Sequence, residues 1–433
     1  MKPGLLLITL ALSWTSAPAA DDVWTQKELE QVSARIQADV AKIRGVEFKR
    51  PVAVSLTDKE GFAKHMRARV EKLVPEGMIE SDETTAKLLG LIPPEMDMWA
   101  VMGEMLKEQV GGFYDPGADT FYLMDSFTGK VAEIILSHEL THALDDQHFD
   151  IDGKLLARIE NGDAATAFSA VVEGSGTVLM STWAMQHAGE LSMEDLQEAS
   201  EMGTEALAAA PPYLWKPLLA AYLQGQRFLQ AGYSTMKKSA KGTLNDTITR
   251  AFEHPPLSCE QVLHPEKYWE PDERDDPRAI AFELGDLPAG WERTSESVLG
   301  ELVLALVVAD DEEREPIDFE NQLAVVFMKF TNDAAAGWDG DRALLLRREG
   351  AVALVLATCW DDADEAAEFR AALAARRERV EAGLAAMDAE GAGSGFLLRE
   401  GTAPDEVVLA TWSGAAREEI EAVLAGVRHA VGE

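Results

Sequence analysis

The chain has 433 residues, a formal net charge of −37 at pH 7 and two cysteines. This length allows two domains, and the strong negative charge argues against nucleic acid or an anionic membrane as a partner. Two cysteines exclude a disulfide framework. Cys259 and Cys359 could pair after export, but the apolar run around Cys359 favours a buried thiol.

The N-terminus has the pattern of a signal peptide. Lys2 precedes an apolar run over 5–12, and small residues follow it up to a cleavage site after Ala19 or Ala20. No later stretch is long enough to span a bilayer, so we expect no stable membrane anchor after cleavage. The sequence therefore predicts that residues 1–20 are removed and that the mature protein is periplasmic or extracellular.

The first elements of the mature chain are a helix, a short strand and a second helix, predicted over 24–42, 51–56 and 59–73. Residues 112–123 predict a hairpin, because aromatic runs flank an Asp-Pro-Gly turn. We expect Thr120–Met124 to be an edge strand that binds an extended peptide by strand addition. The alternative is a hairpin that only packs into the core.

Residues 138–142 read His-Glu-Leu-Thr-His, the most specific motif of the chain. On a helix, His138 and His142 lie one turn apart on one face and can bind one zinc ion, while Glu139 faces a water molecule as general base. Residues 131–137 are largely apolar, which predicts a buried helix where such polar groups need a partner. The motif predicts one Zn²⁺ per chain and hydrolytic chemistry.

A catalytic zinc usually takes three protein ligands, and Glu173 is the favoured third one. It lies in the apolar segment 168–180, which predicts a helix with Asp163 as N-cap. The small residues 174–176 suggest that this helix closely approaches the zinc helix. The alternative is that Glu173 simply faces solvent.

His148 is the alternative third ligand, since its spacing from the motif matches the metzincin pattern with Asp145 in place of glycine. Six residues after His142 is about 240° further around a helix, so His148 needs a sharp turn of the chain to reach the same ion. Asp145 or Asp146 could instead accept the second ring N–H of a zinc histidine. Both could also be solvated residues of the last helical turn.

The motif resembles that of the zincin superfamily, and a larger part of the chain resembles a bacterial group of secreted or membrane-linked zincin-like metallopeptidases. The matching pieces are 50–52, 89–94, 112–116, 138–150, 172–174, 222–225, 255–256, 260–268 and 337–342. The resemblance implies a mainly helical zincin-like domain with a small edge sheet. It also implies Glu173 as third ligand, in the gluzincin manner, but no substrate specificity.

Residues 211–268 are predicted to be helical with breaks. Four side chains in this region can donate a hydrogen bond to an oxyanion, namely Tyr222, His254, His264 and Tyr268. Buried tyrosine and histidine more often satisfy local hydrogen bonds, which is the alternative for each of them.

A change of composition near residue 290 predicts a second domain. Residues 270–289, rich in acid and proline, are predicted as a linker after a metallopeptidase domain over 21–269. The elements predicted beyond it are strands at 298–308, 323–330, 343–346 and 351–360, a helix at 364–387, short runs at 395–399 and 406–412, and a helix at 415–429. Their order indicates a smaller α+β domain over 290–433 with a mostly antiparallel sheet.

The sequence therefore predicts an α+β protein that is an exported zinc metallopeptidase acting on a peptide or protein. In the first alternative, His148 replaces Glu173 as a ligand, with the same chemistry. In the second, the protein is a non-catalytic exported binding protein on a zincin scaffold. The sequence leaves substrate and oligomeric state open.

Overall fold

The computed structural model describes residues 10–12, 24–192, 204–238, 242–319 and 321–432. The predicted signal peptide lies outside the described residues except for Leu10–Leu12. The described part is α+β, as the sequence predicts. None of its helices is both long enough and apolar enough to cross a bilayer.

The described helices and strands follow in chain order. The helices are α1 (Gln26–Arg44), α2 (Lys59–Leu73), α3 (Met78–Leu88), α4 (Met98–Gln109), α5 (Gly129–Phe149), α6 (Ile151–Leu156), α7 (Gly162–Gln186), α8 (Thr204–Ala209), α9 (Pro212–Lys238), α10 (Leu244–Glu253), α11 (Cys259–Leu263), α12 (Glu266–Trp269), α13 (Gly300–Val308), α14 (Gln322–Val326), α15 (Ala363–Met387) and α16 (Arg417–Ala425). The strands are β1 (Leu10–Leu12), β2 (Ala53–Thr57), β3 (Val110–Asp115), β4 (Thr120–Met124), β5 (Ile280–Leu284), β6 (Glu292–Ser297), β7 (Trp338–Arg348), β8 (Ala351–Trp360), β9 (Ser394–Glu400), β10 (Glu406–Ser413) and β11 (Val427–Val431).

The predicted hairpin at 112–123 is present as β3 and β4, which pair antiparallel. The prediction that β4 is an edge strand is wrong. The sheet order is β1-β3-β4-β2, and β4 is hydrogen-bonded to β3 on one side and to the parallel strand β2 on the other. Strand β2, predicted at 51–56, occupies the outer side of β4. The outer side of the hairpin that remains is that of β3, and β1 pairs with it.

Helix α7 lies between α5 and α9, and glycines set its distance from α9. A Cβ atom at Gly225 of α9 would lie 1.9 Å from the carbonyl oxygen of Ala170 in α7. One at Gly174 of α7 would lie 2.5 Å from the backbone of Gly225. The N-cap of α7 is Asn161, whose side chain accepts a hydrogen bond from Ala164 N–H, and not Asp163 as predicted. Asp163 lies in the first turn of the helix.

The C-terminal part contains an antiparallel five-stranded sheet of order β6-β7-β8-β10-β9 and a two-stranded sheet of β5 with β11. Within the strand predicted at 298–308, Gly300–Val308 form helix α13 instead, because a continuous apolar run fits a buried helix as well as a buried strand. A strand is also predicted at 323–330, but the first residues of this segment belong to the short helix α14.

Two further boundaries differ from the prediction. The segment 270–289 is not only a linker, because it contains β5 with alternating burial. The single helix predicted at 415–429 ends at Ala425, and after Gly426 the chain continues as β11, which pairs with β5. Strand pairing between distant segments is not visible in a local pattern.

The largest apolar core is continuous through both parts of the chain. It contains Leu29 of α1 and Phe168 of α7 together with Trp338 of β7 and Val407 of β10. Both cysteines are buried free thiols, so the structure has no bond between Cys259 and Cys359. The two predicted domains thus pack as neighbours on a shared core.

We expect Gly225→Ala to lower the free energy of unfolding by about 1–3 kcal/mol or more, because the added methyl group overpacks the contact of α9 with α7. The control is Gly103→Ala in α4, where no atom lies within 4 Å of the new Cβ and helix propensity improves. Chemical denaturation measures both variants. Equal stability of Gly225→Ala and the wild type would contradict the close approach of these helices.

Candidate metal centre

Helix α5 carries the His-Glu-Leu-Thr-His motif through the middle of the protein. Every residue from 131 to 145 is buried, because α1, α7, β3 and β4 all pack against the helix. His138 and His142 are four residues apart and therefore lie on one face. The local sequence fixes this pair, whereas the third group comes from a different helix.

The structure brings together His138, His142 and Glu173. The Nε2 atoms of the two histidines are 2.9 Å apart, and Glu173 Oε2 lies 3.1 Å from His138 Nε2 and 3.4 Å from His142 Nε2. Tetrahedral zinc with bonds of about 2.0–2.1 Å separates neighbouring ligand atoms by roughly 3.3 Å. Two imidazole nitrogens and one carboxylate oxygen therefore have the donor types and spacing that fit a zinc ion.

The ionisation of His138 and Glu173 suits a metal site, whereas, although burial opposes it, Glu173 raises the pKa of His142. Burial lowers the pKa of His138, and the nearby His142 lowers it further. Although burial opposes it, the two histidines lower the pKa of Glu173 to about 2. A neutral imidazole and an ionised carboxylate are the forms that bind metal. Nδ1 of His142 is buried and has no hydrogen-bond partner among the described residues.

Gly176 makes room for the His138 ring. A Cβ atom at Gly176 would lie 2.7 Å from Cε1 of that ring, so any larger residue would push the imidazole. The sequence predicts that residues 174–176 allow α7 to approach the zinc helix. Of the two glycines, Gly176 faces α5, whereas Gly174 faces Gly225 of α9.

The side chain of Glu139 is hydrogen-bonded to strand β3. Its Oε2 accepts a hydrogen bond of 2.8 Å from the backbone N–H of Tyr114. The Tyr114 hydroxyl donates to Asp119 and Asp146 over 2.8 and 3.1 Å. Burial, and then the negative charge of Asp146, raise the pKa of Tyr114 well above its usual range, so this hydroxyl keeps its proton. Sequence reasoning did not find this contact, because a backbone N–H has no signature in the sequence.

Asp145 and Asp146 have partners other than His138 and His142. Asp145 accepts from Arg44 Nε at 2.9 Å and from Ser175 Oγ at 2.6 Å, which ties α5 to both α1 and α7. Asp146 accepts from Tyr114 and from the backbone N–H of Ile151 at 2.9 Å. Within the described part of the chain, neither carboxylate accepts from a ring of the cluster. No described contact therefore supports the hypothesis that one of them orients a zinc ligand directly.

His148 lies away from the cluster. Helix α5 continues without a break through Asp145 to Phe149, so the sharp turn that a metzincin ligand needs is absent from this helix. His148 Nε2 lies 2.9 Å from the carbonyl oxygen of Glu47. The structure therefore brings Glu173, and not His148, to the two motif histidines.

Of the four predicted oxyanion donors, Tyr222 lies at the cluster. Its ring stacks on His138 with centroids 5.7 Å apart and an angle of 23° between the planes. Among its described residues, the structure gives no contact of the other three with the cluster. His264 Nε2 lies 3.0 Å from Glu301 Oε1, and the Tyr268 hydroxyl donates to the carbonyl oxygen of His254, whose side chain is exposed.

A second group of carboxylates, Glu260, Asp275 and Asp361, surrounds the ammonium group of Lys267. The distances from Lys267 Nζ to the three carboxylate oxygens are 2.6, 2.8 and 2.9 Å. The lysine supplies the positive charge that a metal ion would otherwise provide. This group therefore ties α11, α12 and the C-terminal part together, and is not a second metal centre.

We expect about one zinc per chain in the wild type, and loss of that zinc in Glu173→Ala, because two nitrogens remain where three ligands are needed. The measurement is the metal content after dialysis. His148→Ala is the matched control and should retain its zinc, since His148 contacts Glu47. Loss of zinc only in His148→Ala would overturn the assignment of Glu173.

Gly176→Ala should weaken zinc binding by about 10–100-fold, because the methyl group displaces the His138 ring from its position. Competition with a chromophoric chelator measures the affinity. Gly189→Ala, where no atom lies within 4 Å of the new Cβ, is the control. Unchanged affinity in Gly176→Ala would show that this ring position does not matter for metal binding.

Comparison with known proteins found one family model and a distant solved structure. Residues 288–417 match a family model described as a domain of unknown function, DUF8575. No curated protein matches the chain. A solved structure from Chloroflexus aurantiacus, described as a candidate hydrolase with a novel fold, is 18% identical, with 60% of this chain and 93% of that chain covered and a TM-score of 0.41. The family match begins after α12 and contains none of the cluster residues.

Proposed function

We propose that this protein is an exported zinc metallopeptidase that hydrolyses peptide bonds. The proposal rests on the convergence of His138, His142 and Glu173, whose three donor atoms lie within 3.4 Å of one another. Glu139 lies on α5 together with the two histidines. Zinc held by these residues would supply a Lewis acid that polarises a carbonyl group and lowers the pKa of a bound water to about 7.

Glu139 is the proposed general base. It follows His138 directly on α5, and its Oε2 is held by the N–H of Tyr114. A carboxylate in a fixed position can take the proton of the attacking water and later donate it to the leaving amine nitrogen. The contact with β3 therefore keeps the proton acceptor in one orientation relative to the cluster.

Tyr222 is the proposed donor to the oxyanion that forms when the carbonyl carbon becomes tetrahedral. Its phenol ring packs on the ring of His138, one of the proposed metal ligands. A hydroxyl group from α9 would stabilise developing negative charge without changing the ligand set. This role distinguishes Tyr222 from His254, His264 and Tyr268.

The edge of β3 supports a peptide as the substrate. Leu10–Leu12 pair antiparallel with this edge, with Leu10 opposite Phe113 and Ala11 opposite Gly112. These residues belong to the predicted signal peptide, so its removal during export would leave the edge open to another extended chain. Such a chain would pair next to Tyr114, which contacts Glu139, so strand addition would bring a peptide bond towards the general base.

We expect Glu139→Gln to keep its zinc and its fold but to lose at least about 10²-fold in kcat, because glutamine cannot accept the proton. The assay follows new peptide termini by mass spectrometry in a peptide library incubated with zinc-loaded protein. Asp125→Asn, which removes an exposed carboxylate, is the control and should cleave like the wild type.

Equal cleavage by Glu139→Gln and the wild type would sink the proposed mechanism. If the zinc-loaded wild type cleaves no peptide in the library but retains some of them, the binding-protein alternative gains support.

A further inference from the structure

A cavity lies between the helical part and the C-terminal sheet. It contains about 670 Å³ of empty space, counting the part that is open to solvent. Its walls come from α3, α7, α9, α11, β6, α13 and β7, so both parts of the chain contribute. We call it the junction cavity. Ligand sites commonly occur at such junctions.

Most of the wall is apolar, and Asp82 is the one carboxylate among the described lining residues, which include no lysine, arginine or histidine. No described residue forms a hydrogen bond or ion pair with this carboxylate. Asp82 is enclosed by protein yet retains accessible surface, because it lines the cavity. Burial raises its pKa to about 7, and its charge adds to the effect of burial in raising the pKa of Tyr213.

Two hydroxyl groups of the wall are already used as donors. Thr166 Oγ1 donates to the carbonyl oxygen of Gly162 over 2.8 Å, and Ser297 Oγ donates to that of Val298 over 3.3 Å. Each oxygen keeps lone pairs that can accept a further hydrogen bond. The described contacts give Asp82 no donor, so a ligand that donates a hydrogen bond would satisfy this carboxylate.

We propose that the junction cavity binds a small organic amine, with its ammonium group on Asp82 and its aliphatic or aromatic body against the apolar wall. An ammonium group has three donors and no acceptor, which matches one carboxylate and nearby hydroxyl oxygens. A positive charge also compensates the buried negative charge of Asp82. The apolar wall around α13, including Leu302 and Val303, provides the surface for the body.

The site is separate from the metal cluster but lies on the same helices. Thr166 of α7 precedes Glu173 by seven residues, or about 10 Å along the helix axis. Pro217 of α9 precedes Tyr222 by five residues. Amine binding does not require zinc, so it can be measured on metal-free protein.

The test is isothermal titration calorimetry of metal-free full-length mature protein at about pH 8, with phenethylamine and with 2-phenylethanol as the uncharged probe of similar size. At this pH the carboxyl of Asp82 is mostly ionised and the amine is protonated. We expect the wild type to bind the amine at least about tenfold more tightly than the alcohol, because a charge-assisted hydrogen bond is added.

Asp82→Asn should remove this preference, whereas Glu76→Gln, which removes an exposed carboxylate, should keep it. Thr85→Phe, which fills the cavity, should block both probes. Circular dichroism checks the fold of each variant, and Glu173→Ala should bind the amine like the wild type. No amine binding, equal binding of both probes by the wild type, a preference retained in Asp82→Asn, or binding lost in Glu173→Ala would each overturn the proposal.

Discussion

Two imidazoles and a carboxylate are buried together between α5 and α7, and the packing of the neighbouring elements makes that burial feasible. Isolated charges cost several kcal/mol in an apolar interior, so these groups must meet one another. They meet because α7 approaches α5 where Gly176 leaves space for a ring, and α9 supports α7 through Gly174 and Gly225. The buried ion pair of Arg44 with Asp145 then fixes α5 against α1. Few other residue types could replace these glycines.

The C-terminal part packs against these helices and shares their apolar core. Asp341 of β7 accepts hydrogen bonds from the N–H groups of Leu299 and Gly300, which satisfies donors at the start of α13. Lys267 of α12 makes an ion pair with Asp361, just after β8. The region that matches the domain of unknown function therefore holds α12 and α13 in place, and both helices pack on α9 and α11. Its contribution to the cluster of His138, His142 and Glu173 is indirect.

The parts that could be predicted have local signals. Helical spacing defines the motif at 138–142, and a lone carboxylate in an apolar run identifies Glu173. The N–H of Tyr114 could not be predicted, because every residue has one. Arg44 ends an amphipathic helix, where an arginine usually faces solvent, yet it is fully buried. The run at 298–308 is apolar without period, so the sequence could not distinguish the helix α13 from a strand. Which strand forms the edge of a sheet depends on pairings across long distances in the chain.

The two free thiols lie in different parts of the structure. Cys259 begins α11 beside the junction cavity, and Cys359 lies within β8 of the five-stranded sheet. Burial raises the pKa of Cys359 to about 12 and that of Cys259 well above its usual range. Since the thiolate is the reactive form, both sulfurs resist alkylation while the protein is folded. The natural sequence thus contains two built-in reporters, whose separate labelling rates would reveal whether the helical and sheet regions open together or one before the other.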